Sequence, residues 1–168
     1  MRSAFWLTSD RHSLARRPLL GVALAALTLG LAVYAFDRDW ATVALLSPLS
    51  DFQTLPRNWF GTGGQFLPSF LHALAISLLL ILALEPGPGG RLMICSAWCA
   101  TALVLEVVQL DDVSASLIDA AQLHTTPPLL APVENYARQG VFDLADMIAT
   151  SLGCLAALVS AHIFRRRT

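Results

Sequence analysis

The chain has 168 residues, 55% of them hydrophobic and only 14% charged, with a net charge of −1 and a mean hydropathy of +0.60. Soluble domains carry about 25% charged residues, so this composition excludes an ordinary water-soluble globule. What remains is a chain built for lipid.

Four apolar runs, at 18–36, 66–84, 92–110 and 143–164, approach the ~20 residues that a helix needs to cross a bilayer. The expected fold is therefore all-α: a polytopic bundle of four transmembrane helices in a single membrane domain covering 1–168. All eleven basic residues are arginines. With the N-terminus inside, eight of them (Arg2, Arg11, Arg16, Arg17, Arg91 and Arg165–Arg167) lie on the cytoplasmic side. Only Arg38, Arg57 and Arg138 then lie outside, which agrees with the positive-inside rule and places both termini in the cytoplasm. A chain that crosses its membrane several times is expected.

Residues 1–17 read as a short basic, polar lead. Arg16-Arg17 followed by an apolar run resembles the start of a signal peptide, but the run has 18 or 19 residues, against about 7–15 for a cleavable h-region. An uncleaved anchor is expected. This first span carries Gly21…Ala25 and Ala26…Gly30, small pairs that let another helix approach closely.

The outer loop 37–65 carries Trp40, Phe52, Trp59 and Phe60, aromatic residues suited to the headgroup level. Gly61-Thr62-Gly63-Gly64 then leads into the second span; it lacks the preceding strand and following Lys of a phosphate-binding loop. Glu85-Pro86-Gly87-Pro88-Gly89-Gly90-Arg91 reads as a tight inner turn between the second and third spans. The second outer loop, 111–142, is long. Val113 to Leu123 could form a short amphipathic helix ended by Pro127-Pro128; Asp111, Asp112, Asp119 and His124 could bind a cation, but acidic residues are ordinary on a solvated loop. Cys95, Cys99 and Cys154 all fall within spans, so structural disulfides are not expected and small residues packing a helix interface are.

Helix periodicity gathers the rare polar residues. Positions three, four or seven apart share a face. In the last span Asp143, Asp146, Thr150, Gly153 and Ala157 follow that spacing, and Ala149, Gly153 and Ala157 make a smooth packing groove. In the third span the stripe is Cys95, Cys99, Ala102, Glu106 and Gln109; the second offers Ser69 and His72. At 1.5 Å per residue, His72 lies ~9 Å from the outer end of its span, Glu106 ~6 Å and Asp146 ~5 Å. His72, Glu106, Gln109, Asp143 and Asp146 thus reach one depth from separate parts of the chain and make a candidate ligand-binding pocket. Asp143 can equally serve as a helix cap. Asp146 and Glu106 lie deeper, where an ionised group costs up to ~3 kcal/mol on insertion scales and faces a partner or water.

At these residues the chain resembles the VanZ-like family of small bacterial membrane proteins. That family's pattern has a His in one span, a Glu-x-x-Gln at a span end, and an Asp-rich start to a last span with a downstream Gly. The matching residues are His72 in PSFLHALAISLL, Glu106 and Gln109 in LEVVQL, and Asp143, Asp146 and Gly153 in FDLADMIATSLG. The resemblance covers roughly residues 66–160. Departures are Pro68-Ser69 in place of an acidic residue and Lys, Thr150 in place of Asn, and Gly140 in place of an Arg, with Arg138 displaced by two positions. The loop between Gln109 and Asp143 is also longer than is usual in the family. The family is associated with glycopeptide (teicoplanin) resistance in its namesake, while most relatives have no assigned activity, so the resemblance implies an envelope function in the inner membrane of a bacterium.

The leading expectation is an outer-facing polar pocket that binds a lipid headgroup, a cell-wall precursor or a similar ligand. Membrane lipids are then partners. A second expectation is an accessory or scaffold subunit whose outer loops dock on a partner membrane protein. A third is an enzyme using His72 with Glu106 or Asp146 for acid–base or metal chemistry, but no nucleophile motif or metal-ligand spacing supports it. No cofactor, metal or nucleic acid is expected.

The topology can be tested with single cysteines placed at Ser50 and Thr126, in a background lacking the native three. Both should react with an impermeant thiol reagent applied outside. A cysteine at Gly89 should not, and its labelling under the same conditions would overturn the orientation.

Overall fold

A computed structural model describes residues 4–37, 59–110, 112–113, 115–116 and 142–166. Four helices account for most of these: α1 (Ala4–Asp37), α2 (Gly63–Leu84), α3 (Pro88–Val108) and α4 (Leu144–Arg166). No strand occurs among the described residues. Each helix contains a stretch long and apolar enough to cross a membrane, at Arg16–Asp37, Gly63–Leu84, Pro88–Val108 and Leu144–Phe164. The chain is an all-α bundle of four such helices. Trp40, Phe52 and Arg138, the 113–123 helix and the loop acids Asp111 and Asp119 with His124 lie outside the described residues in whole or in part.

The boundaries follow local chemistry. α1 begins at Ala4 and runs through Pro18, where the 18–36 run begins. One missing N–H and a ring clash do not end a helix whose flanks both continue it. α2 stops at Glu85, whose left-handed backbone (φ 48°, ψ 44°) caps the helix. The residue before a proline is disfavoured in the α region, so Pro86 ends the helix here. The Glu85 N–H donates to the Ile81 carbonyl at 3.0 Å. Pro88 then opens α3 at a position where its missing N–H costs nothing. Hydroxyls inside the spans are satisfied locally: Thr28, Thr101 and Ser151 donate to the carbonyls of Leu24, Ala97 and Met147, all at 2.9 Å. In lipid no water could do this for them.

α2 is the central helix and touches the other three; α3 rests mainly on α4. Ser69 meets Asp146 and Ser77 meets Cys154, so α2 and α4 run parallel in steady register. Cys99 meets Ser151 and Arg91 meets Ala161, so α3 runs antiparallel to α4. α1 is antiparallel to α2, with Arg16 against Leu82 and Glu85 at one end and Asp37 against Phe60 at the other. The core is made from small and aliphatic residues, among them Ala23 and Ala26 of α1, Leu71, Ala75 and Leu78 of α2, Cys95 of α3, and Ala157 and Ala161 of α4.

Two glycines carry close approaches. A Cβ on Gly153 would collide with the Phe70 carbonyl oxygen and lie 3.0 Å from Ala73 Cβ and 3.1 Å from the Leu74 nitrogen. Backbone therefore meets backbone where α4 crosses α2, with buried Ala149, Ala157 and Ala161 continuing the same stripe. In lipid, where helices gain little from hydrophobic burial, this intimate packing is a main source of association. Gly64 is the second: a Cβ there would collide with the Asp37 carboxylate. That carboxylate accepts the Phe60 N–H at 3.0 and 3.2 Å and ties the end of α1 to the start of α2.

Because the obstacle at Gly153 is backbone, a side chain there forces the helices apart. Gly153→Ala should destabilise the bundle by ~1–3 kcal/mol, the usual cost of overpacking, and Gly153→Leu by more. Leu155, on the exposed face, should tolerate Ile. Thermal unfolding in detergent decides; equal midpoints for Gly153→Leu and Leu155→Ile would refute the close crossing.

Candidate polar site at the acidic end of the bundle

The N-termini of α2 and α4 and the C-terminus of α3 share one end of the bundle. Asp143 is the N-cap of α4. Its Oδ1 accepts the Ala145 N–H at 2.8 Å, and its carbonyl accepts the Asp146 and Met147 N–H groups at 3.1 and 3.3 Å. The carboxylate thus satisfies a backbone donor that a helix start leaves unpaired, with the helix dipole in its favour.

Asp146 stands one turn into the helix and points across it. Ser69 of α2 donates its hydroxyl to Asp146 Oδ1 at 2.7 Å, joining residues 77 positions apart. A hydrogen bond to a charged acceptor contributes ~1.5–3 kcal/mol, so this contact both locks the Asp146 rotamer and links α2 to α4. Thr150, one turn below, is buried.

Glu106 approaches from α3. Asp146 and Asp143 both lie within electrostatic range of its carboxyl group. Its Oε2 is closed off from solvent and has no hydrogen-bond partner among the described residues. It also occupies the last turn of α3, where the helix dipole disfavours an anion. Glu106 thus stands at the end of α3 with one carboxyl oxygen shielded from solvent and without a hydrogen-bond partner among the described residues.

Gln109 ends α3, its N–H donating to the Glu106 carbonyl at 3.0 Å. The side chain is buried and its Nε2 donates to the Leu105 carbonyl at 3.5 Å. His72 lies elsewhere on the helix. It is exposed and stacks edge-on against Tyr34 of α1, with ring centroids 6.1 Å apart and planes at 75°. The α2 side chain bonded to the acidic cluster is Ser69. Three residues of helix turn a side chain by about 60°, enough to carry His72 to the α1 side. Tyr34 gave no signal in the sequence, because nothing in a lone aromatic on an apolar run says which helix it will face.

Deeper in the bundle the three cysteines are free thiols. Ser77 donates to Cys154 Sγ at 3.7 Å, and Cys99 lies 4.0 Å from Ser151 Oγ. Among the described residues no group of three His, Cys, Asp or Glu is placed to hold a metal ion. The cluster at the acidic end offers carboxylate and hydroxyl oxygens, and its chemistry is that of an acceptor for N–H donors and cations. No protein-family model, curated protein or solved structure matches the chain.

The two aspartates should separate in stability measurements. Asp143→Asn keeps a capping oxygen and should change little, whereas Asp143→Ala should cost ~0.5–2 kcal/mol. Ser69→Ala should cost ~1–3 kcal/mol through loss of the hydroxyl donated to Asp146. Adding Asp146→Asn to Ser69→Ala should cost less than the separate effects summed. Strict additivity in this double-mutant cycle would show that the pair does not interact.

Proposed function

We propose that the chain is a VanZ-like protein of the bacterial cell envelope, set in the inner membrane with both termini in the cytoplasm. Its acidic end faces outward and binds a lipid headgroup, a cell-wall precursor or a similar polar ligand. The observation that carries this reading is the convergence of Glu106 with the Ser69-bonded Asp146 at one end of the spans. A purely structural cluster would distribute donors among its acids. Here Glu106 keeps an oxygen without a hydrogen-bond partner among the described residues, and a ligand bearing N–H groups would supply one. The arginine distribution supports the outward orientation. The motifs around His72, Glu106, Gln109, Asp143, Asp146 and Gly153 support the family, although His72 stands against Tyr34 of α1 near the middle of α2. A role in glycopeptide resistance rests on that resemblance alone.

Charge-removing, shape-conserving variants test the reading. Asp146→Asn and Glu106→Gln should insert and unfold within a few degrees of the native protein, yet leave a deletion strain uncorrected in its susceptibility to envelope-directed antibiotics. Asp143→Asn should correct it. Folded and fully active Asp146→Asn and Glu106→Gln proteins would make the carboxylates structural and end the proposal.

A further inference from the structure

Three thiols lie apart from the acidic end and take no part in it. Cys99 stands at the middle of the α3 span and Cys154 at the middle of the α4 span. With Cys95 they line a cleft of about 370 Å³ between the two helices. The antiparallel register, with Cys99 beside Ser151 and Arg91 beside Ala161, sets Cys154 at a height between Cys95 and Cys99. The three face different ways. Cys95 is buried and faces Ser77 of α2. Cys99 is turned to α4, its Sγ 4.0 Å from Ser151 Oγ, and its thiol and that of Cys154 are within reach of one another. Ser77 donates to Cys154 Sγ at 3.7 Å from the other side. Cys95 and Cys99 do not suit each other as partners. One turn apart on one helix, their Cβ atoms stand ~5–6 Å apart, against the ~3.5–4.5 Å of a disulfide.

We infer that Cys99 and Cys154 are a redox pair, closed by a lipid-soluble quinone into a disulfide that joins α3 to α4 at mid-membrane. Nothing in this site depends on the ligand reading of the acidic end. Oxidation breaks two S–H bonds and forms one S–S bond. Two electrons and two protons pass to the quinone, whose two carbonyl oxygens become the hydroxyls of a hydroquinone. The surroundings select this class of oxidant. The pair lies at the centre of a ~30 Å hydrocarbon core, where charged oxidants do not reach and no water or base takes up the protons. The acceptor must dissolve in lipid and carry off protons with the electrons. Access is sideways, because Ala100 and Leu155 at the cleft are exposed. Cys99 itself is only partly buried, whereas a thiol fully enclosed by apolar groups is inert. Closure moves only α3, the least buried of the four spans.

The test treats the full-length protein in phospholipid vesicles with a fully substituted benzoquinone, whose ring has no free position for thiol addition. Thiols are counted by alkylation after denaturation, and linked peptides are read by mass spectrometry. The count should fall from three to one, with the peptide bearing Cys99 joined to the peptide bearing Cys154. A trialkylphosphine should restore all three. Cys95→Ala should still form the link and lose both of its thiols. Cys99→Ala should keep both of its thiols, and Cys99→Ser, closer in size, repeats that control. The linked protein should unfold at a higher temperature than the reduced one, and quinone treatment should give no such shift in Cys99→Ala. Three thiols remaining in the treated native protein would overturn the pair. So would a link through Cys95 or between two copies. Equal oxidation by ferricyanide, which stays in water, would overturn the assignment of a lipid-soluble oxidant.

Discussion

The backbone contact between α4 and α2 at Gly153 is the constraint from which the site follows. With no Cβ at this position, α4 settles against Phe70, Ala73 and Leu74, and the rotation of both helices about their axes is fixed. Asp146 lies seven residues earlier on the same stripe and is thereby turned toward Ser69. The same rotation presents the next turn of α2 to α1, where His72 meets Tyr34. A polar contact near the membrane surface is thus set by the absence of a methyl group two turns below it.

The two ends of the bundle divide the charge between them. At one end, Arg16 donates to the Leu82 carbonyl at 3.2 Å and contacts Glu85, while Arg91 donates to the Ala161 carbonyl at 3.3 Å. Cations here suit the C-terminal ends of α2 and α4. At the other end Asp143 and Asp146 suit the N-terminus of α4. Glu106 breaks this pattern because α3 runs the opposite way and brings its C-terminus to the acidic end. Laid antiparallel against α4, α3 brings a carboxylate to the end where its own dipole is negative.

The four spans were legible because lipid imposes a long apolar run on any helix that crosses it, and the observed spans begin and end within a few residues of the runs. The exception is α1, where a polar lead reads as a non-spanning segment yet the helix continues back to Ala4. The depth shared by Glu106 and Asp146 was legible from a fixed rise per residue. Azimuth was not. Spacing says which residues share a face, but which neighbour that face meets depends on crossing points such as Gly153 and Gly64, and these are known only once helices are paired. Ser69 and His72, one turn apart, could not be ranked for this reason.

The connection between α2 and α3 has a mechanical consequence. α3 is fixed at its start by the Glu85–Gly87 turn and by the grip of Arg91 on Ala161, and otherwise lies lightly on its neighbours. Glu106 stands about 28 Å along the helix from that turn. Over that length a tilt of about 5° about the turn would displace Glu106 by roughly 2 Å relative to Asp146. The angle set at the inner turn is thus one of the determinants of how far apart the acids stand.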